Sequence, residues 1–246
     1  MNDFYLTDKI FIRNENMYLQ KNNKIQKINK NNWHHILNDY GWEKIPLQWV
    51  KKLNTYSSFK NKNSRFGMLD CESDGNCFFQ CIANALNERD RTKGEEYNYI
   101  DIRNIIADSI TEEYFQTLIE YYRIMKDAND FDEEWDPYQI KTVDDFKRQI
   151  RESGHNYWGD YLLFNLIIKI LKLNIFLFNF NEDEKEQTIY NTLNEYNPKY
   201  DTIYLLYENN CHFKLIGYFD DNKMISYFTN QNIPEELIQL FDIKFK

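Results

Sequence analysis

Asp74-Gly75-Asn76-Cys77-Phe78-Phe79 is the stretch on which the reading of this chain turns. A tight polar turn, Glu72–Asn76, delivers a cysteine to the start of a predicted helix whose apolar side is spelled by Phe78, Ile82, Ala85 and Leu86. The first N–H groups of a helix have no intrahelical acceptor and carry a partial positive charge. A thiolate placed there is stabilised, as a nucleophile requires. The same amides suit an oxyanion on an attacked carbonyl. Gly75 allows an unusual backbone angle, and Asp74 is suited to accept hydrogen bonds from the loop and hold its shape. On chemistry alone, a buried structural cysteine after an ordinary turn explains these residues equally well.

A nucleophilic cysteine needs a base, and the chain has four histidines. His34 and His35 follow Trp33 in a basic segment and read as structural or exposed. His155 falls in the loop Ser153–Trp158. His212 opens a predicted strand directly after a polar turn, a place from which a base reaches across to a helix N-terminus. It stands above the ordinary reading of a lone histidine because Cys77 also sits at the edge of an element.

Outward from these two residues, periodicity predicts helices over Ile100–Ile110, with Ile102, Ile105, Ile106 and Ile110 inward, and over Glu112–Met125 and Val143–Arg151. Tyr161–Leu171 reads as a buried helix turning at Asn174 into a core strand, Ile175–Phe178. The whole stretch to Phe180 is long enough to span a bilayer. Lys169 and Lys172 near its centre argue against that, at roughly 2.5–3.5 kcal/mol each. Ile203–Tyr207 and His212–Phe219 form an antiparallel hairpin around Glu208–Cys211, Met224–Phe228 is a further strand, and Pro234 opens a terminal helix. Helices precede strands without a βαβ repeat, which gives an α+β fold.

Charge divides the chain. Residues 1–66 carry a net +7 and the remainder −16, within a total of −9. The basic part holds Trp33, Trp42 and Trp49, a hairpin of Ile10–Ile12 and Met17–Leu19 around Asn14-Glu15-Asn16, and a helix opened by Pro46. It is expected to be a subdomain, 1–65, docked on a catalytic domain, 66–220, with a strand and helix extension, 221–246. The acidic residues at 130–136 and 182–186 read as solvated loops, or as a field that steers a basic partner. Four cysteines, Cys71, Cys77, Cys81 and Cys211, include no C-x2-C pair, so no metal site is expected. The start lacks a signal-peptide pattern, and free thiols in a reducing intracellular compartment are the expectation.

Three blocks in order give a more specific reading. Asp74-Gly75-Asn76-Cys77-Phe78-Phe79 resembles the nucleophile motif of the ovarian-tumour (OTU) family of cysteine proteases. Trp158-Gly159-Asp160, with the apolar helix and strand after it, resembles that family's Trp-Gly block. Tyr204-Leu205-Leu206-Tyr207 with Cys211-His212-Phe213 resembles its last catalytic hairpin. The Asn/Lys/Ile-rich composition is similar to that of OTU proteins of large DNA viruses, for which the compartment is host cytoplasm or virion.

The resemblance implies a papain-like α+β fold and hydrolysis of the bond after the C-terminal glycine of ubiquitin or a ubiquitin-like protein. It implies Cys77 as nucleophile, His212 as base, Asp74 as the aspartate of the nucleophile loop with Gly75 and Asn76, a monomer, and no metal or organic cofactor. The pattern departs in two places: where the family usually carries Asn or Asp two residues after the histidine, this chain has Lys214, and after the Trp-Gly block Tyr161 and Leu162 replace the usual acidic residue, which touches only packing. An ammonium has no acceptor for the imidazole N–H. Lys214 is therefore expected to bend toward solvent or an acidic neighbour, leaving the ring to Asp74, Asn209, Asn210 or a backbone carbonyl. Lys214 also supports a rival, a catalytically weak or dead OTU-like module that binds ubiquitin. A second rival, nucleic-acid binding through the basic segment, predicts salt-sensitive binding that disappears with residues 1–65.

Overall fold

Alternation along Leu173–Phe180 sets the architecture. Leu173, Ile175 and Leu177 enter one hydrophobic cluster, and Phe176, Phe178 and Phe180 enter another. Successive side chains of a strand point to opposite faces. Every residue of this strand is buried, so it lies inside a sheet covered on both sides.

The computed structural model describes residues 3–57, 65–131, 134–183, 188–190 and 196–245. Its strands are β1 (Phe4–Tyr5), β2 (Ile10–Arg13), β3 (Asn16–Lys21), β4 (Lys24–Lys27), β5 (Trp42–Lys44), β6 (Phe66–Leu69), β7 (Leu173–Phe180), β8 (Ile189–Tyr190), β9 (Asp201–Glu208), β10 (His212–Phe219) and β11 (Met224–Ile225). Its α-helices are α1 (Trp33–Ile36), α2 (Leu47–Tyr56), α3 (Cys77–Asp90), α4 (Tyr99–Ser109), α5 (Glu112–Asp127), α6 (Val143–Arg151), α7 (Phe164–Leu171) and α8 (Glu235–Leu240).

The main sheet runs β5-β6-β10-β9-β7-β8, with β11 pairing on β10. Only β7 and β9 are parallel among these pairs. One face packs against α3 to α7 through residues such as Phe78, Ile82, Ile106, Phe115, Phe146 and Ile167. The other face packs against α2 and α8 through Trp49, Leu53, Leu237 and Leu240. This is the expected α+β arrangement of helices around a central sheet.

The helix predicted from Cys77 is α3, whose residues Phe78, Phe79, Ile82, Ala85 and Leu86 are all buried. Three boundaries differ from expectation. The passage from α7 to β7 turns at Lys172, which adopts a left-handed conformation (φ 53), and not at Asn174. Asn174 is inside β7, where its side chain accepts the Asn197 N–H at 2.9 Å and donates to the Tyr200 carbonyl at 3.0 Å. Polarity suggested a turn because these partners are distant in sequence. At the other end, Tyr161–Leu163 is a 3-10 turn, and the Asp160 carboxylate caps it by accepting the Leu162 N–H at 2.8 Å. Of Met224–Phe228, only Met224–Ile225 is a strand, with Phe228 bridging to Thr202. No described helix is long and apolar enough to cross a membrane.

The basic segment is divided. The expected hairpin is β2–β3, turned by Asn14 and Glu15 with positive φ, and it extends to a separate four-stranded sheet with β1 and β4. Its core holds Trp33 together with Phe219 and Met224 from the far end of the chain. The rest of the segment belongs to the main sheet: β5 is its edge strand on β6, and α2 covers one face. The acidic stretches at 130–136 and 182–186 lie partly outside the described residues.

Candidate active site

Cys77 is the first residue of α3 and is 4% exposed. Its sulfur lies 3.5 Å from the Phe213 backbone nitrogen, whose N–H points toward it. Phe213 directly follows His212, the first residue of β10, so the strand lays the histidine's backbone beside the thiol. Aromatic packing fixes this seam: Phe213 contacts Phe78 on α3, with ring centroids 5.1 Å apart, and stacks on Tyr207 at 4.6 Å.

The loop before Cys77 is built from hydrogen bonds. Asp74 accepts the Asn76 backbone N–H at 3.0 Å and the Asn76 side-chain amide at 2.9 Å. Gly75 has φ +81, and a Cβ there would collide with the backbone of Gly154 and His155. Only glycine tolerates both the angle and the approach. Beneath the loop lies Arg103 of α4, fully buried. It donates to Asn76 Oδ1 (3.0 and 2.8 Å) and to the carbonyls of Gly75 (3.0 Å), Ile150 (2.8 Å) and Tyr157 (2.8 Å). Its guanidinium also stacks on Phe79, 4.0 Å from the ring centroid. Arg103, from the middle of α4, thus ties the nucleophile loop to the end of α6 and to the Trp-Gly block. Sequence reading missed it, because it sits between Ile102 and Ile106 on a face assigned to the apolar core. A charged residue inside an isoleucine stripe was the available signal.

Electrostatics at Cys77 correct one expectation. Burial pushes the thiol up to about 11, outweighing the N–H groups of Phe213 and Phe78, which favour the thiolate. The helix N-terminus alone therefore does not make this sulfur acidic. Ionisation near neutral pH requires a neighbouring imidazole to take the proton.

The expected ring partners are not at the ring. Asp74 is engaged with Asn76. Asn209 and Asn210 form the β9–β10 turn with φ 49 and 57. Asn210 offers its carbonyl to the Tyr207 hydroxyl at 2.6 Å, and Asn209 Oδ1 lies 3.4 Å from the Glu182 nitrogen. The side chain that meets the imidazole is Asp70, with Oδ1 3.1 Å from His212 Nε2. It lies just past β6, 142 residues earlier in the chain. Lys214 bends to acidic neighbours, 3.0 Å from Glu208 and 3.6 Å from the same Asp70 oxygen. His155 is exposed and packs on Trp158, with ring centroids 5.7 Å apart. His34 and His35 lie against each other, ring centroids 4.0 Å apart, beside the N-terminal sheet's core. Among the described residues no group of His, Cys, Asp and Glu is arranged to hold a metal ion.

The family model for OTU-like cysteine proteases matches residues 72–213. The chain belongs to that family. The match runs from the nucleophile loop to the residue after His212, so it brackets the Cys77–Phe213 seam. Similar solved structures include the Hazara virus OTU bound to ubiquitin, at 16% identity and TM-score 0.40, covering 66% of this chain and 83% of that one. The OTUD1 OTU domain matches at 16% identity and TM-score 0.40, over 69% and 95% of the two chains. An OTU deubiquitinase of Wolbachia pipientis wMel bound to ubiquitin matches at 14% identity and TM-score 0.40, over 65% and 100%. No curated protein matches the chain.

Proposed function

We propose that this OTU-like cysteine protease is a deubiquitinase that cleaves the bond after the C-terminal glycine of ubiquitin or a ubiquitin-like protein. Membership in the family supports the reaction class. The observation that supports the mechanism is the 3.5 Å approach of the Phe213 N–H to the Cys77 sulfur, which brings the backbone that follows His212 to a thiol at a helix start. His212 accepts the thiol proton, and the sulfur attacks the glycine carbonyl. The Cys77 N–H, with no intrahelical acceptor, faces the developing oxyanion in a loop shaped by Asp74. The carbon–nitrogen bond breaks, and His212 returns the proton to the departing amine. Water then attacks the thioester, His212 takes its proton, and the glycine carboxylate leaves as the thiol is restored.

Burial of the thiol and the lysine at position 214 favour a second reading, a weak or inactive ubiquitin-binding module. One experiment separates the two. Ubiquitin carrying an electrophilic C-terminus is incubated with the protein, and the adduct is located by mass spectrometry, beside a cleavage panel of ubiquitin linkages and other modifiers. The expected result is an adduct on Cys77 that is absent from Cys77→Ala. Binding of ubiquitin without an adduct supports the second reading. Neither binding nor adduct, with any modifier, overturns both.

A further inference from the structure

From the pairing of three strands, we infer that Asp70 is the positioning residue for the His212 ring, and that Lys214 holds it there by bridging to Glu208. The inference rests on the Cys77–His212 reading but on no particular modifier.

Register brings the four groups together. His212 lies directly opposite Glu208 on β9, and Leu215 lies opposite Leu69 on β6. Continuing the antiparallel register past Leu69 sets Asp70 across from Lys214. His212 and Lys214 are two residues apart on one strand, so they share a face. Facing pairs of an antiparallel ladder also share it. Asp70 and Lys214 thus form one row across β6 and β10, His212 and Glu208 form the next row on the same face, and Glu208 reaches Lys214 along the diagonal.

Within this row the carboxylate does what the ammonium cannot. Asp70 Oδ1 is 3.1 Å from His212 Nε2, the distance of a hydrogen bond to a ring N–H. Nε2 engaged with Asp70 leaves Nδ1 as the nitrogen that exchanges a proton with sulfur. Asp70 is half-exposed, and a lone surface carboxylate would swing freely. Two contacts restrain it. Its backbone N–H donates to the Gly41 carbonyl at 3.0 Å, just before β5. Its carboxylate lies 3.6 Å from the Lys214 ammonium, which is itself almost buried and bonded to Glu208 at 3.0 Å.

Burial alone would push Lys214 down, but the hydrogen bond to Glu208 and the charges of Glu208, Asp70 and Glu43 more than offset it. The lysine therefore stays charged. Asp70, Glu208 and Lys214 then sum to one negative charge beside the imidazole. That is the sign that supports an imidazolium next to the Cys77 thiolate. Lys214 is consequently compatible with catalysis, because it is neutralised on both sides and braces the carboxylate that holds the ring.

The test reads Cys77 alkylation by iodoacetamide against pH, which needs no ubiquitin, alongside ubiquitin cleavage. His212→Ala defines the profile of a thiol without its base. Asp70→Ala is expected to slow alkylation at pH 7 by at least about tenfold and to move the midpoint to higher pH, toward the His212→Ala profile, whereas the isosteric Asp70→Asn, whose side-chain oxygen still accepts the imidazole N–H, is expected to keep more of the rate than Asp70→Ala. Lys214→Met is expected to give a smaller loss, about threefold. The double variant Asp70→Ala/Lys214→Asp moves the carboxylate to the neighbouring strand and is expected to recover most of the rate. Circular dichroism and melting temperature confirm that each variant is folded. A wild-type profile in Asp70→Ala, or a double variant no better than Asp70→Ala, overturns the assignment. If wild-type alkylation depends on His212 and Asp70 but no modifier is cleaved, the substrate reading fails and this one stands.

Discussion

The two halves of the candidate active site are held by different forces. On the nucleophile side, Asp74, Asn76, Gly75 and the buried Arg103 form a hydrogen-bonded framework in which three backbone carbonyls and the side-chain oxygens of Asp74 and Asn76 receive the donors. On the base side, the ring is steadied by a half-exposed carboxylate and a lysine shared between two acids. The first kind of support is specific in geometry and indifferent to salt. The second is Coulombic, reaches water and depends on which groups are ionised. The thiol is therefore placed rigidly, whereas its reactivity is set from a side that responds to solution conditions.

The sharpest way to break this contrast is to remove the atoms that react. Cys77→Ala is expected to abolish cleavage while leaving ubiquitin binding and the melting temperature near wild type. If Cys81→Ala eliminates cleavage and Cys77→Ala does not, the nucleophile side has been misread. His212→Ala should lower cleavage by about a hundredfold or more. In that variant, alkylation of Cys77 should rise only as pH approaches about 11, the range to which burial pushes the thiol. His155→Ala should leave the profile unchanged, and the reverse pattern would move the base to the other loop.

Arg103→Ala tests the nucleophile side as a structure. It removes the guanidinium donors from the Gly75, Ile150 and Tyr157 carbonyls and leaves Asn76 Oδ1 with the Gly154 N–H, at a cost of at least ~3 kcal/mol. For a chain of this size that lowers the melting temperature by about 6–12 °C. Arg103→Lys should restore little, because one ammonium cannot reach acceptors on three segments. Added salt is a gentler probe: it should slow alkylation at pH 7 by about twofold to fivefold through the base side, with little change in melting temperature. The smallest effect is expected at Cys81. Its sulfur is 3.5 Å from that of Cys71, both are buried free thiols, and neither has a part in the mechanism. Cys81→Ala should keep cleavage within about twofold and cost ~1 kcal/mol of stability.

Much of this arrangement was legible in the sequence where neighbours along the chain carry the signal. The α3 start at Cys77 and the β9–β10 hairpin follow from local periodicity and a polar turn. The Asp74 bonds to Asn76 span two residues. What escaped depends on pairing across the chain. Asp70 is an ordinary aspartate until β6 lies beside β10, and nothing within ten residues of it announces a histidine. Lys214 looked like a defect in the site for the same reason. Its compensation comes from two other strands. Arg103 was hidden by its own helix, since a periodic apolar face absorbs one discordant residue without disturbing the prediction. The segment 1–65 read as an appendage because its composition differs, yet β5 completes the main sheet.

The edge strand β5 has a consequence for inheritance and for engineering. The stretch that sequence likeness outlines, residues 72–213, begins just after Asp70 and leaves out both β5 and β6. It carries the thiol and the imidazole but not the Gly41 carbonyl and the carboxylate at their border. A graft of that stretch onto another protein would transplant the signature of the family without its working edge. The unit of recognition by sequence and the unit that exchanges intact between proteins are, in this chain, two different segments.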